Sequence, residues 1–172
     1  MIPSLREVRG DCPGRESGKG SSLVKALLQR VTGASVSVAG EVVGKIGQGL
    51  VVFVGVANGD TERDAQYLAQ KTVNLRIFSD EEGRFNLSAL DVEGELLIVS
   101  QFTLLADARK GRRPSFVEAA PPIQAEKLLG CFVQEARATG LRAETGRFQQ
   151  YMQEEIHNDG PVTILLDSRE KF

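Results

Sequence analysis

Several kinds of site are missing from the sequence, and each absence removes a class of function. The 172 residues include one histidine and two cysteines, too few for a histidine-rich metal centre or a disulfide framework. Neither the phosphate-cradling GxxxxGK[ST] pattern nor the dinucleotide-binding GxGxxG pattern occurs. No apolar run is long enough to span a membrane, and no signal-peptide segment is recognisable. We therefore expect a cytoplasmic protein with no membrane partner, no metal and no cofactor.

The overall composition indicates a globular protein without a strong charge bias. Hydrophobic residues make up 41% of the chain, charged residues 26%, and the formal net charge is −2. Any binding of nucleic acid must therefore depend on a local basic patch. Residues 1–22 are rich in Gly, Ser and charge, and we expect a disordered tail or an artefact of start-site choice. Residues 23–172 are expected to form one domain.

The pattern of apolar residues predicts many strands and two helices. The run at 49–56 is almost wholly apolar and should be a central strand buried on both faces. Apolar residues at helical spacing predict helices at 62–74 and from Pro121-Pro122 to Gly140. The remaining predicted strands are 25–31, 34–38, 42–46, 76–79, 85–87, 95–104, 141–145, 151–157 and 162–167. The connections are mostly too short for repeated βαβ crossovers. The fold class is α/β of an α+β-like kind, with a mixed, largely antiparallel sheet or barrel and two flanking helices.

A polar cluster lies where the predicted strand 95–104 ends. It contains Ser100, Gln101, Phe102 and Thr103. Polar groups at the end of a buried strand need partners, so a structural hydrogen-bond cluster is one interpretation. The other is a site in which hydroxyl and main-chain N–H groups orient a carbonyl.

A basic loop follows this cluster directly. Its four cations are Arg109, Lys110, Arg112 and Arg113. A solvated surface loop is the simple interpretation, but cations next to a polar cluster also suit a phosphorylated ligand or a nucleic acid.

A Gly160-Pro161 pair precedes the last predicted strand, with Asn158 and Asp159 before it. Such a pair is most often a plain turn, but it is also where a cis peptide bond can occur. In that geometry two main-chain carbonyls can point the same way and bind an ammonium group. His157 and Cys131 are interpreted as structural side chains, at a strand end and within a helix.

Three segments together resemble the D-aminoacyl-tRNA deacylases. They are SQFTL at 100–104, RKGRRPSF at 109–116 and NDGPVT at 158–163, and QRV at 29–31, NLRIF at 74–78 and ETGRF at 144–148 extend the likeness. The resemblance covers nearly everything beyond the tail. The sequence differs from the family at Leu105 and Ala108, outside these motifs.

The resemblance implies a homodimer that hydrolyses the ester between a D-amino acid, or glycine, and the 3′ end of tRNA. It implies that Ser100, Gln101, Phe102 and Thr103 form the catalytic wall of a pocket. Gly160, Pro161, Val162 and Thr163 of the second subunit would complete that pocket and exclude L-amino acids, with Arg30 bracing their loop. The catalysis would be assisted by the 2′-hydroxyl of the tRNA, with Thr103 as a pocket residue rather than a nucleophile. Arg109, Lys110, Arg112 and Arg113 would bind the tRNA.

Two other functions remain open at this point. One is a nucleic-acid-binding module without catalysis, which would use the basic loop alone. The other is a hydrolase of different esters that uses Ser100 or Thr103, although a catalytic triad would have to rely on the single histidine, His157.

Overall fold

A six-stranded mixed sheet forms the centre of the molecule. The computed structural model describes residues 24–169, and the expected tail at 1–22 lies outside them. The strands are β1 (Lys25–Val38), β2 (Glu41–Ile46), β3 (Gly49–Gly55), β6 (Glu95–Ser100), β7 (Ala143–Thr145) and β8 (Gln153–Asp167), and a separate two-stranded ribbon contains β4 (Phe78–Ser79) and β5 (Phe85–Leu87). The expectation of a mixed sheet or barrel with two helices is confirmed.

β1 is the strand around which the sheet is built. It runs antiparallel to β2 and β3 and also to β8. The sequence predicted two strands here, 25–31 and 34–38, but they form one strand because Gly33 keeps its pairing, opposite His157. The predicted hairpin between 34–38 and 42–46 is confirmed, and its turn is Ala39-Gly40.

Two helices connect the parallel strands of the sheet. β3 pairs with β6 in parallel, and β6 pairs with β7 in parallel. The helices between them are α1 (Glu62–Asn74) and α2 (Pro122–Ala138), so two crossovers are present that the short connections had argued against. The carboxylate of Asp64 accepts a 2.9 Å hydrogen bond from the Thr61 main-chain nitrogen at the start of α1, and Gly140, with φ +91°, follows α2.

The sheet has a buried core on each face. Ala26, Leu28 and Val52 face the helices and pack in one cluster with Leu68 of α1 and Phe132 of α2. The alternate residues along the strands form a second cluster, made of Val31, Ala34, Val36, Ile46, Val51, Leu97 and Val99. This alternation follows from the period of two along a strand, and it explains why the apolar run of β3 is buried on both faces.

β8 is one 15-residue strand with an interruption. Residues 151–157 and 162–167 were predicted as two strands around a turn, which is wrong, because both halves pair with β1. Val31 lies opposite Asn158 and Gln29 opposite Thr163, so four residues of β8, 159–162, stand opposite Arg30 alone. Gly160-Pro161 is therefore the tip of a bulge within a strand. We call residues 159–162 the β8 bulge.

No helix within residues 24–169 is long and apolar enough to cross a membrane.

Candidate active site

The polar cluster Ser100–Thr103 lies at the point where β6 ends and the chain turns. β6 ends at Ser100, and a 3-10 turn covers Phe102–Leu105. The predicted strand 95–104 is therefore too long. The Gln101 nitrogen still donates to the Val54 carbonyl of β3, at 2.8 Å. The Gln101 carbonyl accepts from the Leu104 nitrogen at 3.2 Å, and this hydrogen bond closes the turn.

Gln101 and Thr103 interact directly within this turn. The Gln101 side-chain nitrogen donates a short hydrogen bond to the Thr103 hydroxyl. The contact uses the Thr103 oxygen as an acceptor and places an amide, rather than a general base, beside it. An unactivated hydroxyl is a weak nucleophile, so this geometry favours a pocket wall over a covalent role for Thr103.

A cavity of about 530 Å³ opens beside this turn. Its walls include Ser100, Phe102, Ala120, Phe148 and Met152. Its volume is within the range of about 300–1,000 Å³ that is usual for small-molecule sites, and its walls are mostly apolar. We call it the main pocket. A second cavity of about 480 Å³ adjoins it and shares Ser100, Phe148, Gln150 and Met152.

Sequence analysis missed the side of the main pocket formed by residues 148–152. The sequence signal for this side was limited to Phe148 and Met152, which follow ETGR at 144–147. An aromatic residue and a methionine are also typical of an ordinary core. The turn is held by the Ile98 carbonyl, which accepts from the Gly146 nitrogen at 3.3 Å. The Met152 sulfur accepts from the Arg147 nitrogen at 3.3 Å. A Cβ atom at Gly146 would lie 2.6 Å from that sulfur, so a larger residue here would displace the Met152 side chain from its present position.

The β8 bulge presents Gly160 and Pro161 to solvent. Their peptide bond is cis, the less common of the two conformations that the sequence left open. Asn158 closes the base of the bulge, because its side-chain oxygen accepts from the Val162 nitrogen at 2.9 Å and its amide donates to the Val162 carbonyl at 3.2 Å. Val162 is buried, whereas Thr163 is exposed and accepts a hydrogen bond from Gln29.

Arg30 supports the bulge from below. It is 8% exposed, and its guanidinium donates to the Asp159 carbonyl at 3.1 Å and to the Ile77 carbonyl at 2.7 Å. It also forms a 3.2 Å ion pair with the Asp159 carboxylate and lies 5.2 Å from the centre of the Phe85 ring. A Cβ atom at Gly160 would lie 3.1 Å from an Arg30 nitrogen, so the two residues are closely packed.

The cluster and the bulge do not share a cavity within one chain. The pockets lined by Ser100, Gln101 and Phe102 are completed by the turn at 148–152 and by Glu154, and none of them includes a residue of the β8 bulge. Leu27 shares a cavity with Gln101, and Arg30 contacts the bulge. Because alternate residues of a strand project to opposite faces of the sheet, Leu27 and Arg30 lie on opposite faces of β1. In a single chain the polar cluster and the β8 bulge are therefore separate, and we refer to them below as the two half-sites.

The basic loop is closed at its base by main-chain pairing, and its end adjoins the main pocket. Asp107 and Ser115 pair across its base, with main-chain hydrogen bonds of 2.8 and 2.9 Å. The rings of Phe116 and Phe102 meet edge to face with centroids 5.1 Å apart. Arg109, Lys110, Arg112 and Arg113 are all exposed, so the loop holds its cations in solvent beside the polar cluster.

Arg109 differs from the other three cations because it is paired. Its guanidinium donates to both carboxylate oxygens of Asp107, at 2.8 and 2.7 Å. These hydrogen bonds lower the pKa of Asp107 to about 2 and raise the pKa of Arg109. The pair is therefore charged throughout the neutral range, and it reduces the charge that Arg109 offers to a phosphate.

His157 and Cys131 lie away from both half-sites. His157 is exposed in β8 opposite Gly33 and lines a cavity with residues of β2. Cys131 is a partly buried residue of α2 that packs against the core. Neither side chain lines the main pocket.

Known proteins match this chain over nearly all the described residues. The sequence model of the D-Tyr-tRNA(Tyr) deacylase family matches residues 27–167. A D-aminoacyl-tRNA deacylase of Dehalococcoides mccartyi (strain 195) is 60% identical over 149 residues, which are 87% of this chain and 97% of the relative. Its counterpart in Roseiflexus sp. (strain RS-1) is 59% identical over 145 residues, 84% of this chain and 94% of the relative. The chain belongs to the D-Tyr-tRNA(Tyr) deacylase family.

Two solved structures share the fold of this chain. A protein described as a c-Myc DNA unwinding element binding protein is 44% identical, has a TM-score of 0.78, and the match covers 83% of this chain and 97% of that one. A structure described as a probable eukaryotic D-amino acid tRNA deacylase is 18% identical, has a TM-score of 0.74, and the match covers 84% of this chain and 99% of that one. At this identity the similarity concerns the fold alone. Membership of a deacylase family makes the protein an enzyme, a hydrolase, so a purely binding module is excluded.

Proposed function

We propose that the protein edits aminoacyl-tRNA by hydrolysing the ester that joins a D-amino acid to the 3′ end of tRNA. The observation that carries the proposal is the family match over residues 27–167, which includes both half-sites. By the same argument glycyl-tRNA is a second substrate, because glycine has no side chain that an L-specific exclusion could detect. The site of action is the cytoplasm, where aminoacyl-tRNA is made.

The main pocket suits the terminal adenosine of the tRNA. Its apolar walls, with Phe102, Phe148 and Met152, offer aromatic and polarisable surfaces to a flat base. Ser100 lines the same pocket and Gln101 lies next to it in sequence, so the ester of an adenosine bound there would lie close to the polar cluster. Adenosine binding thus explains why an apolar pocket and a polar turn adjoin.

The cluster acts mainly by positioning the ester. Phe102 and Thr103 begin a 3-10 turn, and the first N–H groups of a helical turn have no acceptor within it. Such N–H groups can bind the ester carbonyl as charge develops on its oxygen. The 2′-hydroxyl of the terminal adenosine assists the attack, because Thr103 is engaged with Gln101 and has no base beside it.

The β8 bulge of a second subunit supplies the exclusion of L-amino acids. Gly160 and Pro161 are exposed, yet their bulge is held from below by the buried Arg30 and by Asn158. A rigid, exposed main-chain loop suits a partner surface better than solvent. Its carbonyls would bind the α-amino group and leave no space for an L side chain, without contacting the D side chain.

A homodimer brings the two half-sites together. β8 lies outside the strand order β2-β1-β3-β6-β7 and pairs with β1 alone, so one of its edges has no strand partner among the described residues. On the sheet face next to Gln101, Leu165 is 52% exposed and pairs with the half-buried Leu27. An open strand edge beside exposed apolar side chains is the kind of surface that a second copy covers.

The basic loop binds the phosphates of the tRNA acceptor end. Lys110, Arg112 and Arg113 are exposed, and the loop adjoins the main pocket through the contact between Phe116 and Phe102. Phosphate contacts of this kind contribute affinity and position without reading sequence. A local patch of this kind is how a chain with a net charge of −2 can bind RNA.

A deacylation assay with matched substrates tests the proposal. Purified protein is incubated with D-Tyr-tRNA, L-Tyr-tRNA and Gly-tRNA, and the remaining aminoacyl-tRNA is counted. We expect D-Tyr and Gly to be released and L-Tyr to be spared. Release of L-Tyr at the rate of D-Tyr would contradict the exclusion mechanism, and release of none would contradict the proposed substrate class. A Thr103→Ala variant that retains activity would exclude Thr103 as an obligatory nucleophile.

A further inference from the structure

Four exposed apolar residues line the main pocket or lie close in sequence to residues that do, and we call them the apolar rim. It consists of Phe102, Val117, Ile123 and Tyr151, which are 55, 75, 86 and 92% exposed. Phe102 and Tyr151 line the pocket, and Val117 and Ile123 lie close in sequence to the lining residues Ala119 and Pro122. These four are a majority of the large hydrophobic residues that the described chain exposes, the others being Val42, Phe85 and Leu165. Two exposed aromatic side chains at one pocket, Phe102 and Tyr151, indicate an interaction surface rather than the usual scatter of single residues.

Tyr151 is the member of this rim that is presented most openly. At 92% exposure its ring lies almost wholly outside the pocket, whose interior is walled by Phe148 and Met152. The turn that carries it is fixed, because Gln150 donates to the Arg147 carbonyl at 3.3 Å and Met152 is held by Arg147. An aromatic ring on a fixed turn binds a flat ligand with little loss of conformational freedom.

The surroundings of the rim favour a single-stranded nucleic acid. The basic loop is connected to it through Phe116, which follows Arg113 by three residues and contacts Phe102 of the rim. Exposed aromatic rings together with a positive groove are the combination that single-strand-binding proteins use, with bases stacked on the rings and phosphates held by the cations.

We propose that Tyr151 is a stacking platform for the base of the unpaired nucleotide that precedes the terminal adenosine of the substrate. This rests on the proposed function, because it takes the main pocket as the adenosine site. The base inside the pocket meets Phe148 and Met152. The next base along the strand is outside the mouth, where the exposed ring of Tyr151 and the cations of the loop are its nearest partners. Tyr151 thus extends recognition from one nucleotide to two.

Two minimal substrates isolate this contact. One is the D-tyrosyl ester of adenosine, and the other is the D-tyrosyl ester of the trinucleotide cytidylyl-cytidylyl-adenosine. We expect Tyr151→Ala to lower the ratio of kcat/KM on the trinucleotide to kcat/KM on the adenosine ester by about 5- to 100-fold, the range that loss of one base–aromatic stack produces. Tyr151→Phe, which keeps the ring, should retain the wild-type ratio. Val42→Ala, at an exposed residue of β2, is the matched control for removal of a surface side chain and should also retain the ratio.

The possible outcomes separate the inference from the function on which it rests. An unchanged ratio in Tyr151→Ala overturns the stacking role, while hydrolysis of both esters by the wild type leaves the proposed function intact. A variant that sediments as a monomer while the wild type is a dimer would assign Tyr151 to the subunit interface and also overturn the stacking role. A wild type that hydrolyses neither these esters nor D-Tyr-tRNA overturns the proposed function itself.

Discussion

At the scale of single residues, Arg30 is the side chain on which the β8 bulge depends. It is buried, yet it carries a charge that is matched by two main-chain carbonyls and one carboxylate. A buried guanidinium is tolerated only when its donors are used in this way. The sequence suggested this role only through the resemblance, because an arginine in a β-strand pattern has no distinctive signal. The bulge that needs it is formed more than a hundred residues later.

Replacing Arg30 with Leu should therefore damage both stability and selectivity. The Ile77 and Asp159 carbonyls would lose their charged donor, and we expect the free energy of unfolding to fall by about 2–4 kcal/mol. The loosened bulge should also reduce the ratio of D-Tyr to L-Tyr release. Urea unfolding and the deacylation assay measure the two effects. Asp159→Asn is the matched control, because it keeps the main-chain acceptor and removes only a half-exposed ion pair. If both variants unfold at the wild-type urea concentration, Arg30 does not support the bulge.

Glu154 is a carboxylate in an unfavourable position. It lines a cavity with Leu27, Phe53 and Gln101, and burial raises its pKa above the usual 4.5. A raised pKa means that the folded state disfavours the charged form. The resulting loss of stability is absent below pH 4.5, develops as the pH rises through the folded pKa, and is complete above it.

Glu154→Gln should consequently stabilise the protein at neutral pH. The gain in the free energy of unfolding should disappear as the pH falls below about 4.5, where the wild-type carboxyl is protonated in both states. Urea titrations of the two proteins at pH 4, 5.5, 7 and 8 measure this. A gain that stays constant over this range would mean that burial of the charge is not the cause.

At the scale of elements, the four cations of the basic loop differ in how freely their charge can act on a ligand. Asp107 accepts two hydrogen bonds from Arg109, whereas the side chains of Lys110, Arg112 and Arg113 form no ion pair or hydrogen bond with residues 24–169 that would reduce their charge. The free cations should therefore contribute most to the binding of tRNA phosphates.

Alanine variants of the loop test this inequality. Lys110→Ala, Arg112→Ala and Arg113→Ala should each raise KM for D-Tyr-tRNA with little change in kcat. Each should also reduce the slope of log affinity against log salt by about 1. Arg109→Ala should change the slope less, because Arg109 is already engaged by Asp107 and is less free to contact a phosphate. Equal slopes for all four variants and the wild type would exclude the loop from phosphate binding.

Several elements could be predicted from the sequence because their signals are local. The boundaries of α1 and β5 match the predicted ones, since capping residues and turns define them. The division of β1 and β8 was wrong because glycine and proline normally end strands, and only the pairing of the two strands with each other overrides that preference. The wall at 148–152 was missed because its residues line a cavity only when β6 and α2 pack beside them. That arrangement depends on contacts between segments that are distant in sequence.

At the scale of the whole molecule, the chain carries the two half-sites in places that share no cavity within the described residues. The cluster at Ser100–Thr103 lies next to the main pocket, and the β8 bulge lies over Arg30. If the proposed function is correct, neither half is a complete site, because one would have a pocket without a screen for chirality and the other a screening loop without a pocket. The central claim is that two copies of the chain combine them.

Subunit complementation tests this claim most directly. Gln101→Arg should inactivate the pocket half and Pro161→Arg the bulge half, so each homodimer should fail to deacylate D-Tyr-tRNA. The two variants are then co-expressed with different tags, and the mixed dimer is purified through both. One of its two sites combines the intact halves, so the account predicts about half of the wild-type activity per dimer. A mixed dimer as inactive as its parents, or two variants that never co-purify, would contradict it.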